Sequence, residues 1–174
     1  MLFAHLLSFL SLSVLFSAAH ALPTVPIPSL LSTRGTPAEI STFLFAHNSI
    51  RSAHNASDLT WSPDLAEKAE LWADNCLFQR TEGLLSDAPY GELHAAATGP
   101  FPIPTAISQF TQDQAEYDPA QPTYTHWTQI VWKATTQVGC ARSQCVNLLG
   151  PTTGVATYYV CLYDPAGNII GQAP

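Results

Sequence analysis

The chain has 174 residues, with six Lys and Arg against thirteen Asp and Glu and a net charge of −7. That balance excludes a basic nucleic-acid surface and a polybasic membrane patch, both of which need clustered positive charge. Hydrophobic residues make up 47%, aromatics 10% and charged residues only 11%, which excludes extended disorder.

Residues 1–21 hold no Asp, Glu, Lys or Arg, have an apolar centre and end on Ala19-His20-Ala21. This is the pattern of a cleaved signal peptide, so a secreted, extracellular protein is expected. The apolar stretch falls short of the roughly 20 residues a membrane span needs, so no stable membrane insertion is expected. Residues 22–35 contain Pro23, Pro26 and Pro28 and read as an extended Pro-rich leader. Residues 36–174 remain as one domain by length.

Thr36-Pro37-Ala38-Glu39 is a capping box with proline at the first helical position. Ile40, Phe43, Leu44, His47 and Ile50 continue it at helical spacing, to an end near Ala53. His47 on that apolar stripe reads as a hydrogen-bonded core histidine. Asn55-Ala56-Ser57 is a sequon, which makes Asn55 a candidate glycosylation site in a secreted chain. A second helix opens at Ser62-Pro63, with Leu65, Ala66, Ala69, Trp72, Ala73 and Cys76 as its apolar face. Residues 80–104 are rich in Gly and Pro and read as loop.

A third helix is predicted over 105–117, with Ile107, Phe110, Gln114 and Tyr117 on one face. Residues 125–132 (THWTQIVW) are β-branched and aromatic and predict a strand. Two more strands are predicted over 138–142 and 155–163, followed by a turn at 164–168. Helices early and strands late imply an α+β layered domain. Four cysteines, Cys76, Cys140, Cys145 and Cys161, allow two disulfides in any of three connectivities. The C-x-x-C spacing of a structural zinc site is absent.

Seven segments in this order resemble the CAP superfamily of cysteine-rich secretory, antigen 5 and first-group pathogenesis-related proteins. They are Phe45-Ala46-His47-Asn48-Ser49-Ile50-Arg51, Leu59-Thr60-Trp61-Ser62-Pro63-Asp64-Leu65-Ala66, Trp72-Ala73-Asp74-Asn75-Cys76 and Pro89-Tyr90-Gly91-Glu92. His126-Trp127-Thr128-Gln129-Ile130-Val131-Trp132, Val138-Gly139-Cys140-Ala141 and the run from Cys161 to Asn168 complete the set. The resemblance implies a three-layer α-β-α sandwich around a small central antiparallel sheet. It also implies the pairings Cys76–Cys145 and Cys140–Cys161. Their loops of 69 and 21 residues would contribute about 4 and 3 kcal/mol in chain-entropy terms.

Members of this superfamily carry a cleft with two histidines and two acids, which in some binds zinc. The positions that correspond here are Arg80, Glu92, Asp113 and His126. Arg80 stands where the first histidine is expected; a guanidinium has no lone pair, repels a dication and pairs well with carboxylates. No zinc or other cofactor is therefore expected, and an ion network of Arg80 with Glu92 or Asp113 is. Were a metal bound, His94 with His126 would be the fallback ligands. His94 otherwise reads as a surface residue. It would share a face with Glu92 if that segment is extended.

The resemblance implies a non-enzymatic binder of small hydrophobic ligands, a fatty acid or a sterol, with Phe110, Tyr117 and Tyr124 as lipid-contacting candidates. The connection over 118–125 lacks the aromatic run of sterol-binding relatives, which weighs against a sterol. An extracellular or host-surface interaction protein without a small ligand is the alternative, and a metal-dependent protease a third class that Arg80 disfavours. No catalytic residue and no nucleic-acid partner are expected.

Overall fold

The computed structural model describes residues 35–174. The expected signal peptide over 1–21 and all of the expected leader except Gly35 lie outside the described residues. Helix α1 (Pro37–Ala53) begins on the predicted box: Thr36 Oγ1 accepts the Glu39 N–H at 3.2 Å, and the Glu39 carboxylate accepts the Thr36 N–H at 2.9 Å. It buries Phe43, His47 and Arg51, each four residues apart on one face. Helix α2 (Pro63–Asp74) is capped by Ser62 and buries Leu65, Ala66, Ala69, Trp72 and Ala73. It stops two residues short of the predicted Cys76, which takes a positive φ of 52°.

Four strands form one sheet in the order β1-β3-β4-β2: β1 (Thr60–Trp61), β2 (Gly91–Thr98), β3 (Gln137–Val146) and β4 (Val155–Asp164). Strands β2 and β3 flank β4 antiparallel, whereas the two-residue β1 pairs parallel to β3. The sheet is thus mixed at one edge rather than wholly antiparallel. Strand β4 explains the layering. Tyr159, Cys161 and Tyr163 face a core shared with α1, α3 (Ile103–Gln109) and α4 (His126–Ile130). Tyr158, Val160 and Leu162 face the opposite core, built on α2. The two-residue period puts a helical layer on each side, giving the α-β-α sandwich.

Two disulfides join Cys76 to Cys145 and Cys140 to Cys161. The second links residues directly opposite in the β3–β4 register. Gly139 lies where α2 crosses the sheet: a Cβ there would come within 2.2 Å of the Ala66 nitrogen.

Three expectations are corrected. The predicted strand over 125–132 holds helix α4 (His126–Ile130) instead, because Thr125 and Thr128 make a reciprocal cap and Asp113 supplies further acceptors to its first N–H groups. The third helix is shorter, ending at Gln109, with a separate 3₁₀ turn over Gln114–Glu116. The loop predicted over 80–104 contains β2, whose small residues pair along β4 over eight positions.

Candidate functional site

A cavity of about 180 Å³ opens beside the edge strand β2. Phe78, Gln79, Arg80, Glu92, His94 and His126 line it. A larger cleft of about 580 Å³, bordered by Glu82, Asp87 and Tyr90, shares Arg80 and Glu92 with it. Strand β2 supplies Glu92 and His94 from alternate positions on one face. Helix α4 supplies His126 at its first turn. The segment after α2 supplies Phe78, Gln79 and Arg80.

Glu92 is buried and fully engaged. The Thr81 N–H donates to Oε1 at 2.8 Å and the Thr81 hydroxyl to Oε2 at 2.6 Å, while His94 Nε2 donates to Oε1. Burial works to raise its carboxyl, but His94, the Thr81 hydroxyl and the Thr81 N–H outweigh it and hold the group below the usual range. Tyr158 donates its hydroxyl to the Leu77 carbonyl at 2.9 Å, and the same oxygen meets His94 Nδ1. His94 thus bridges the Tyr158 hydroxyl and the Glu92 carboxylate through its two ring nitrogens. This corrects the surface reading of His94.

Asp113 works as an added cap for α4. It accepts the backbone N–H of His126 at 2.9 Å, the N–H of Trp127 at 3.0 Å and His126 Nδ1–H at 2.8 Å. Burial raises the Asp113 carboxyl; the Trp127 N–H and both His126 donors outweigh it and keep it low. The His126 ring also stacks on buried Phe110, 6.0 Å between centroids. With Nδ1 held by Asp113, Nε2 is the ring nitrogen left for the cavity.

Arg80 is exposed, and no described residue pairs with it. The expected network with Glu92 or Asp113 does not form. Those carboxylates are satisfied by backbone and short side-chain donors already held in place, whereas an exposed guanidinium gains little by leaving water. Arg80 therefore faces the cleft with its five N–H donors uncommitted.

Tetrahedral zinc needs several converging lone pairs. Here the Glu92 oxygens, both His94 nitrogens and His126 Nδ1 are committed to protein partners, and Arg80 has no lone pair to give. Of the imidazole nitrogens in this lining, His126 Nε2 alone is without a partner among the described residues. Among the described residues, three metal-type donors converge at His47, Cys140 and Cys161. There the sulfurs are bonded to each other, and His47 holds the Phe43 carbonyl and the Tyr163 hydroxyl, both at 2.8 Å.

The remaining candidates are spread out. Phe110 is buried in the core and Tyr117 is half-buried against Trp127, so both serve packing. Tyr124 is exposed, its hydroxyl taking the Gly171 N–H. Asn55 is exposed just past α1 at φ 57°, with Ser57 exposed beside it. Residue-by-residue reading missed Thr81, Tyr158 and Arg51. Arg51 is wholly buried and donates to the carbonyls of Ser57, Ile130, Trp132 and Thr135 at 2.6–3.0 Å. A helical position four residues after His47 on the same stripe was the available signal.

The profile of the cysteine-rich secretory protein family, CAP, matches residues 44–163. Fruiting body protein SC14 of Schizophyllum commune is 34% identical over 163 residues, covering 86% of this chain and 74% of that protein. Secreted protein PRY1 of Candida albicans is 35% identical over 134 residues; the match covers 76% of this chain and 30% of that longer protein. Among solved structures, "Crystal structure of NaASP2 with Zn2+" superposes with a TM-score of 0.62 at 20% identity, covering 81% of this chain and 86% of the other. That likeness shows the shared fold. No helix among the described residues is long and apolar enough to cross a membrane.

Proposed function

The chain belongs to the cysteine-rich secretory protein family, and from that premise we propose that it acts outside the cell as a non-catalytic binding module for small hydrophobic ligands, without a resident metal. The observation that carries this reading is the state of the cleft. Glu92, His94 and Asp113, the groups a hydrolase would use, are spent on one another and on the backbone. What remains open to a visitor is a half-exposed aromatic ring, Phe78, with Leu77 exposed next to it, beside the uncommitted Arg80 and His126 Nε2. Such a surface holds an apolar body rather than transforming it. The naming of a relative as a secreted protein supports the location.

The ligand is read as a fatty acid before a sterol. The connection over 118–125 folds into a tight turn bridged between Asp118 and Gln121 and is tied to the C-terminal segment through Tyr124. It offers no aromatic platform at the cleft, whose lining comes from other segments.

Titration of the purified protein with radiolabelled palmitate and cholesterol tests the reading. Saturable palmitate binding at about one per chain is expected. Absence of saturable binding of either lipid overturns it in favour of an interaction protein with no small ligand.

A further inference from the structure

We propose that the cleft selects its ligand by charge: Arg80 receives the carboxylate head of an amphiphile whose apolar part lies over Phe78 and Leu77. The inference rests on the amphiphile reading above and adds the chemistry of the head and the residue that recognises it.

Arg80 is the feature that needs explaining. Among the described basic residues, Arg51 is consumed by four carbonyls, Lys68 pairs with Asp64 at 2.7 Å, Arg142 pairs with Glu39 at 2.6 Å, and exposed Lys133, unpaired like Arg80, lines neither cavity. Arg80 lines the cavity with no such partner although Glu92 lines the same cavity. Glu92 is turned toward Thr81 and His94, which satisfy its charge and withdraw it as a competitor for the guanidinium. An incoming carboxylate meets the planar fork that matches it in two parallel hydrogen bonds.

Size and charge narrow the class. About 180 Å³ holds roughly six water volumes, enough for a head group and not for a long chain. The tail must then leave this cavity, and Phe78, which lines it, and the next residue Leu77 are 50% and 47% exposed. Glu82 and Asp87 border the adjoining cleft, and the protein carries −7 overall. That field opposes any anion, and a dianionic phosphate monoester more than a monocarboxylate. A monocarboxylate is the head that fits.

The experiment compares palmitate with hexadecanol, equal in chain length and lacking the charge, on the wild type and on Arg80→Gln. Arg80 is exposed and unpartnered among the described residues, so the variant keeps the fold; an unchanged circular dichroism spectrum and melting temperature verify this. Wild type is expected to prefer palmitate by about tenfold or more, and Arg80→Gln to lose that preference while its hexadecanol affinity stays put. Arg80→Lys should recover only part of it, since a point charge lacks the fork. Palmitate affinity unaltered in Arg80→Gln overturns the carboxylate assignment and leaves the amphiphile reading standing. If neither amphiphile binds the wild type, the amphiphile reading falls and this assignment with it.

Discussion

Arg51 shows how one residue sets the site without touching it. Its guanidinium is wholly buried and no carboxylate among the described residues is bonded to it; four main-chain carbonyls surround it instead. Two of these, Ile130 and Trp132, lie at the C-terminal end of α4, where the helix dipole already presents partial negative charge. Arg51 therefore ties α1 to the helix that carries His126. Arg51→Met should destabilise the protein by at least about 4 kcal/mol, because each buried carbonyl left without a donor costs about 1–3 kcal/mol. Arg51→Lys keeps the charge but reaches fewer carbonyls and should fall between. Urea midpoints of the three proteins measure this; a loss under about 1 kcal/mol for Arg51→Met would mean that solvent replaces the guanidinium without penalty.

Among the elements, the contact of α2 with β3 is the tightest constraint on substitution. A Cβ at Gly139 would sit 2.2 Å from the Ala66 nitrogen and 2.6 Å from the Leu65 carbonyl carbon, both backbone atoms that cannot swing away. Gly139→Ala must push the helix off the sheet, at a cost of about 3 kcal/mol or more. Gly139 has ordinary backbone angles, so the penalty is steric and a thermal melt of the variant reads it directly. The same elements show what the sequence displayed and what it hid. Helices α1 and α2 were legible because caps and apolar stripes are local. Helix α4 was not: its residues favour strand, and the acceptors that stabilise its first turn include Asp113, thirteen residues earlier. Strand β2 was hidden for the opposite reason. Its alanines have little strand preference, and its pairing is dictated by β4, some sixty residues away. The site follows the same division. The tetrad positions were found by resemblance, while the partner of Glu92 depended on β2 being extended, which brings His94 onto its face.

At the scale of the molecule, acid should loosen this fold, and the sign follows from how its ionisable groups are buried. His47 lies wholly inside, and burial, with Arg51 nearby, pushes its imidazole down from 6.5 to about 4. Between those values the unfolded chain binds a proton that folded His47 refuses. Unfolding therefore gains as pH falls through that window, by up to about 3 kcal/mol from this residue. Glu92 and Asp113 act in the same direction at lower pH: their folded carboxyls are held below the ordinary range, so stability present above it is lost as they protonate. The net charge of −7 opposes this, because acid relieves self-repulsion, but that contribution is screened by salt whereas a buried imidazole is not. In 0.15 M salt the urea midpoint is expected to fall steadily from pH 7 to pH 4. His47→Gln, which can keep a bond to the Phe43 carbonyl and removes the titrating ring, should flatten the upper part of that fall. An identical slope in the variant would show that the buried histidine is not its source.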